Sequence, residues 1–449
     1  LVDELYSILR IFADNMLRYG RDDFSPSRTM MFVNSVDTDA LKPEGVVNLL
    51  EYQKGLSFLY DLYLLTGEPR YLEAVRNSEA GLFKYCRFPQ TGLLAWGEKM
   101  RYDVMKGSWA PSDPEKPEPI HQFCEPFPAV AVMAKTGFLP ELTEYAESVW
   151  KYHVYNKAEY AGYADAVNAD TGEIADHTQG SYHGAQLIYM LAYLYHATGQ
   201  RDYAGRALQL ALYPYSMREK NTGLISLRID VKRNQVLGET VYPYVTKYYW
   251  ALIYGYRWTG NPEFLQLARD VVQAYVKYGF DWDRGVIYQD LRLDGATPER
   301  KPFRYYTWDT AAIAVKLWEL TGDLAFLKMA RCTADHVTDT KTFDWGGFPY
   351  SHYEARVLHL YLELHRATGE KRYLKMADER AKLVLEHYLS NGFITNAPVG
   401  VPPERSHMDV AYTNQGATHG THELASQLLR LYLVREECNI VTFNHEGTG

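Results

Sequence analysis

Apolar positions recur along this chain at helical spacing, and the runs end on one repeated phrase: Thr-Gly, then an aromatic residue followed by Leu or Ala. It reads Thr66-Gly67 then Tyr71-Leu72, Thr198-Gly199 then Tyr203-Ala204, Thr259-Gly260 then Phe264-Leu265, Thr321-Gly322 then Phe326-Leu327, and Thr368-Gly369 then Tyr373-Leu374. A degenerate copy is Thr136-Gly137 then Leu139. Gly after the last apolar residue of a helix is the expected left-handed cap, and a short polar link into a new apolar period makes a helical hairpin. Each Thr-Gly is therefore read as a hinge. Successive hinges lie about 60 to 70 residues apart, shortening to about 47 at the last step, which suits two helices and a return loop. The pattern predicts an all-α toroid of helical hairpins, one domain over residues 1–449.

Helices entering the hinges are expected at about 45–66, 119–136, 178–198, 240–259, 305–321 and 350–368, with a seventh from about 412 to 436. Helices leaving them fall at about 70–86, 139–156, 201–218, 262–278, 323–338 and 371–389. The run Val2 to Tyr19 has no local mate and can pair with the last helix to close the ring. That makes seven hairpins, with a six-hairpin ring as the alternative. The return loops carry alternating residues bounded by Gly, as in Thr91 to Gly97, Thr222 to Leu227 and Gly285 to Asp290, so short β-hairpins should decorate the rim. The longest return, Lys99 to Pro119, holds Pro111, Pro114, Pro117 and Pro119 and reads as an ordered flap.

Composition narrows the function. A hydrophobic fraction of 47% is ample for a large core, charged residues or His interrupt every long apolar run, and a soluble chain is expected. A net charge of −9 with dispersed basic residues argues against nucleic acid and anionic membrane surfaces as partners. The four cysteines, Cys86, Cys124, Cys332 and Cys438, have no zinc-ligand spacing and read as free buried thiols. The chain begins at Leu1, so a leader is open; its removal would favour a periplasmic or secreted location. The 38 Tyr and 9 Trp exceed ordinary usage; most belong in the core, but those near the return loops suit sugar rings, whose C–H faces are apolar and whose hydroxyls need partners. A polysaccharide or oligosaccharide is the expected partner.

The expected inner helices open on polar and aromatic clusters: Glu118 to Gln122, Asp176 to Gly184, Tyr242 to Tyr248, Arg304 to Asp309, Tyr350 to Tyr353 and Tyr412 to Gly420. In a toroid these converge on one mouth. Taken singly, Asp176 and Asp309 read as helix-capping or dipole-compensating residues. His183, beside Tyr182 in a Gly-flanked start, reads as functional. Arg304 offers a bidentate fork for a carboxylate, and Tyr306 can donate a proton. His419 and His422, three apart, leave a divalent metal open without requiring one, and no cofactor is expected.

These hairpins, the rim segment Gly92 to Glu98 with Tyr102 and Asp103 behind it, and the Tyr/His/Arg mouth resemble the α/α-toroid polysaccharide lyases acting on glucuronan, alginate or pectate. The resemblance departs from the pectate type at Glu98, where that type has a metal-binding His, and at His121-Gln122-Phe123-Cys124. It implies metal-free β-elimination on a uronic-acid glycan, with Tyr306 as acid, His183 as base or its partner, and Arg304, Gln179 and Asn414 around the carboxylate. Trp96 and Trp308 would be stacking platforms, with Tyr182, Tyr244, His121, His352 and His419 lining the substrate. Three alternatives stand beside it: a hydrolase similar to the unsaturated uronyl hydrolases, using Asp176 and Asp309; an isomerase of the N-acylglucosamine epimerase type, using His183 with His352 or His419; and a non-catalytic glycan-binding toroid.

Overall fold

The computed structural model describes residues 1–123, 129–155, 160–180, 184–226, 228–241, 246–338, 351–396, 399, 415–416 and 419–438. Seven inner helices are found among them: α2 (Leu49–Thr66), α4 (Ala129–Met133), α6 (Gly184–Thr198), α8 (Thr246–Thr259), α10 (Arg304–Thr321), α12 (Ser351–Thr368) and α14 (His419–Arg435). Each packs on the next, and α14 packs back on α2, so the ring is closed. Behind them lie the outer helices α3 (Pro69–Tyr85), α5 (Leu139–His153), α7 (Arg201–Ser216), α9 (Pro262–Gly279), α11 (Leu324–Thr338) and α13 (Lys371–His387). The seventh outer helix is α1 (Val2–Tyr19), which packs on α14 as expected.

The two rings differ as their sequences require. In α6 every residue from Gly184 to Leu194 is buried, and in α8 every residue from Thr246 to Gly255, so these helices are enclosed on all sides. Outer helices bury one stripe: Leu5, Leu9, Phe12, Ala13 and Met16 in α1, and Phe264, Leu267, Ala268, Val271, Val272 and Tyr275 in α9. The aromatic that follows each hinge is the first buried position of its outer helix; Tyr71, Tyr203, Phe264, Phe326 and Tyr373 are all nearly inaccessible.

The Thr-Gly phrase has a local physical cause at both residues. Gly67, Gly199, Gly260, Gly322 and Gly369 have φ between 69° and 73°, the left-handed conformation that closes a helix. The preceding Thr hydroxyl donates to the carbonyl four residues back, at 2.5–2.8 Å, and accepts the N–H two residues on, at 3.2–3.3 Å. One side chain thus joins the last turn of one helix to the entry of the next. A Cβ on any of these glycines would meet nothing within 4 Å, so φ alone demands glycine there. Gly255 is the converse: it is an ordinary helical residue, but a Cβ would lie 2.5 Å from Phe264 Cδ1. Gly322→Ala should therefore lower stability by about 1–2 kcal/mol through left-handed strain, and Gly255→Ala by about 1–3 kcal/mol through overpacking. Urea unfolding checks both; only the second loss should shrink when Phe264 is also changed to Leu.

At the degenerate hinge, Gly137 has φ 110° and the chain runs from α4 through a π-helical turn, Ala134–Phe138, into α5. Thr136 there donates to Val132 O and to Glu79.

The opposite end carries the rim strands. Val46–Val47, Met100–Asp103 and Ser108–Pro111 form one sheet, Ile120–His121, Ala166–Asn168 and Ile174–Asp176 a second, and Thr178–Gly180, Arg228–Asp230 and Gln235–Leu237 a third. Two-stranded pairs join Phe280–Asp281 to Val286–Ile287 and Leu389–Ser390 to Phe393–Ile394. These strands correct three expectations. The inner helices placed from about 119 and 178 begin later, because Ile120–His121 and Thr178–Gly180 are spent in antiparallel pairs with Val167–Asn168 and Arg228–Asp230. The 99–119 return is a strand pair docked on Val46–Val47 rather than a flap. The Thr91–Gly97 segment contributes only the bridge Leu94 to Arg87. Cys86 is buried as expected, whereas Cys332 and Cys438 are partly exposed. No described helix is long and apolar enough to cross a membrane.

Candidate functional site

One and a half turns below the rim, the inner helices place charged side chains on the toroid axis. Lys54 of α2 meets Glu423 of α14 at 2.5 Å; the guanidinium of Arg356 on α12 lies 2.9 Å from Glu423 Oε1 and 2.9 Å from Asp309 Oδ1 on α10. The indole N–H of Trp250 on α8 donates to the same Asp309 oxygen at 3.0 Å. Two cations and two carboxylates thus form one neutral chain across five helices, with every charged side chain at most 7% exposed. Such a layer is poor economy for stability alone, since desolvating ions cancels much of their attraction. Asp309 Oδ2 is buried and accepts no hydrogen bond from any described residue. A buried carboxylate oxygen without a protein partner calls for one, from water or from a ligand hydroxyl.

Above this layer stand Tyr306 and Trp308 on α10 and His352 and Tyr353 at the first turn of α12. Tyr306 packs on Phe303 at 5.0 Å, Trp308 meets Tyr353 edge-on at 6.2 Å, and the His352 and Tyr353 rings lie 4.5 Å apart. Thr307 anchors the rim to α10, its hydroxyl accepting from Ile287 N–H at 2.8 Å and donating to Phe303 O at 2.8 Å. Tyr306, Trp308 and His352 are therefore on the two neighbouring helices that also supply Asp309 and Arg356.

One layer deeper lies a second ionic group. Glu363 of α12 takes Lys316 at 2.6 Å, Arg366 at 2.9 Å and Arg430 of α14, and Arg430 also lies 3.2 Å from His359 Nδ1. Burial would raise the Glu363 carboxyl, but Lys316 and Arg430 hold it well below the usual carboxylate range. Burial, reinforced by Arg430, pushes His359 down to about 3, so it is neutral in the folded chain. Because the folded value is the lower one, the stabilisation is complete above the unfolded value near 6.5 and is lost as pH falls toward 3. By pH 4.5 the loss should be on the order of 3 kcal/mol. Unfolding measured against pH should show a smaller acid loss in His359→Gln than in the parent chain.

Several expected site residues are placed elsewhere. His121 is fully buried in a rim strand, linked to His153 at 2.6 Å and to Tyr145 at 2.8 Å, while His153 Nδ1 donates to Ala164 O at 2.7 Å. That donor leaves His153 Nε2 an acceptor, so His121 Nδ1 donates and its Nε2 accepts from Tyr145; burial and then His153 hold His121 well below its ordinary pKa. His121 is a strut between rim and α5, not a substrate residue. Trp96 is not a platform either: it is fully buried, stacked on Tyr145 at 5.7 Å and edge-on to Phe123. Gln179 is committed to the rim, its Oε1 accepting from Tyr163 N–H at 2.9 Å, instead of facing a carboxylate. Asp176 is exposed and caps Thr178 N–H at 2.8 Å beside a surface groove with Lys99 and Lys116, whereas Asp309 is buried on the axis, so the two form no hydrolytic pair. His422 turns toward Phe12 of α1 and Gly55 of α2. No group of three metal-ligating side chains occurs among the described residues. Tyr182, His183, Tyr244 and Asn414, and the side chains of Arg304 and His419, lie outside the described residues.

Of the charge layer only Asp309 lies in a helix opening; Lys54, Arg356 and Glu423 lie a turn or more inside their helices. A signal existed: Lys54, Arg356 and Glu423 are ionic residues within the inner helices, where charge is costly to bury.

No protein-family model matches the sequence, and no curated protein matches it. Solved structures share the fold across nearly the whole chain. The cellobiose 2-epimerase from Bacillus thermoamylovorans superposes with a TM-score of 0.58 at 11% identity, covering 97% of this chain and 99% of its own. A D-mannose isomerase gives 0.56 at 12% identity, covering 95% and 97%. An α-1,6-mannanase variant from Salegentibacter, in complex with α-1,6-mannotriose, gives 0.53 at 11%, covering 96% and 99%. The fold is thus that of α/α-toroid proteins.

Proposed function

We propose that this toroid is a carbohydrate-active enzyme that isomerises or epimerises the reducing-end aldose of a mono- or disaccharide at the mouth side of its axis. The observation that carries the reading is Asp309, whose Oδ1 is held by Arg356 and Trp250 while its Oδ2 has no partner among the described residues, beneath Tyr306, Trp308 and His352. Arg356 and Lys54 supply positive charge to the sugar's carbonyl oxygen, Asp309 takes a hydroxyl proton, and His352 exchanges the proton on carbon 2. The electron pair released from that C–H bond moves into an enediolate on carbons 1 and 2. Reprotonation at carbon 1 gives the ketose, and at the other face of carbon 2 the epimer. His183, kept from the sequence, completes a proton-transfer pair with His352. Like-folded enzymes that include a mannose isomerase and cellobiose 2-epimerases support the substrate class.

Hydrolysis is less well supported. It needs one carboxylic acid as a proton donor, and Asp309 and Glu423 are each held by a cation. Uronate β-elimination shares the removal of a proton beside a carbonyl carbon, but the like-folded solved structures named above are an isomerase, an epimerase and a mannanase. Chromatography of D-mannose and cellobiose incubated with the chain tests the proposal: a ketose or a 2-epimer should accumulate to equilibrium. Unchanged aldoses, with mannotriose cut or glucuronan converted to unsaturated ends, would refute it.

A further inference from the structure

A cavity of about 500 Å³ opens at the hinge end of the toroid between α8 and α10, with α12 as its floor. We propose that it is a separate binding site for a neutral sugar ring. One wall is aromatic: Trp250 and Tyr254 stack at 5.9 Å with their planes 23° apart, and Ile253 extends the apolar surface. The other wall is ionic: Arg257, Lys316, Glu319 and Glu363 line it, two cations with two carboxylates, with Lys316 held by Glu363 at 2.6 Å and Glu319 by Arg366 behind the wall, so the cavity offers donors and acceptors without a large excess charge. An apolar face opposite paired donors and acceptors fits a ring with C–H groups on one side and hydroxyls on its edge. A phosphate or carboxylate would have to compete with Glu363 for Lys316 and would lie against the Glu319 carboxylate. Trp250, 1% exposed, closes the inner end of this cavity while its N–H holds Asp309. The site is thus distinct from the proposed catalytic one and touches it through one side chain.

The test uses the full chain with isoleucine δ-methyl groups labelled and the Ile253 signal assigned from Ile253→Val. Titration with D-mannose or cellobiose should shift that signal saturably, and the shift should persist in Asp309→Asn, where turnover at the mouth is lost. Leu320→Trp, which fills the entrance, should abolish the shift and keep the parent chain's turnover. A signal unmoved by either sugar, one moved only by inorganic phosphate, or one lost in Asp309→Asn would overturn the proposal. The parent titration decides even if Leu320→Trp does not fold, and the product assay judges the mouth site separately.

Discussion

Asp309→Asn should lower kcat/KM by about a thousand-fold while the chain remains folded. The substitution keeps the shape and an oxygen able to accept from Trp250 N–H and Arg356, so both contacts at 2.9–3.0 Å can survive. What it removes is the negative charge and the acceptor at Oδ2, the one carboxylate oxygen of the layer that no described residue occupies. Since the loss is of an interaction with the reacting sugar, most of it should appear in kcat. Steady-state kinetics with a parallel thermal-unfolding scan separates the cases. A variant that unfolds early and loses activity only in proportion would reduce the layer to a structural device.

Arg356→Met should have the largest effect on stability, about 3–5 kcal/mol. The guanidinium is the only link between Asp309 and Glu423 among the contacts described, and both carboxylates are fully buried. Without it Glu423 keeps Lys54, but Asp309 keeps only the indole N–H. Neutralising Asp309 in the same chain should recover part of the loss, because the cost lies in a stranded charge more than in lost packing; couplings of about 0.5–3 kcal/mol are usual for such neighbours. Urea denaturation of the two single variants and the double variant closes the cycle. Additive losses would mean that Arg356 acts through its apolar stem alone.

The hinges were legible in the sequence because their cause is local. A Thr hydroxyl that bridges two turns and a glycine at φ near 70° leave the same two letters wherever they occur. The pairing of Val2–Tyr19 with the last helix was legible for another reason: an amphipathic stripe without a neighbour must be buried somewhere. Helix starts at the rim were not, since Thr178–Gly180 and Ile120–His121 owe their extended form to strands 40 or more residues away. Trp96 and His121 were misplaced because a Gly-rich rim segment reads as exposed, whereas α5 supplies Tyr145 and His153 to cover it. The axis layer depends on partners still more remote, Lys54 and Glu423 being 369 residues apart. That Tyr306, Trp308 and His352 stand in the first turns of α10 and α12 was legible because both helix starts follow from the apolar period running back from a Thr-Gly hinge.

The central claim is that the axis exchanges a proton at carbon 2 of an aldose. Proton nuclear magnetic resonance of D-mannose and cellobiose incubated with the chain in heavy water tests it most directly. A ketose or 2-epimer should form and the carbon-2 proton signal of the remaining aldose should fade as deuterium enters, with both changes absent in Asp309→Asn. An aldose that keeps its carbon-2 proton and its configuration, under conditions where glucuronan gains unsaturated ends or mannotriose is cut, would contradict it.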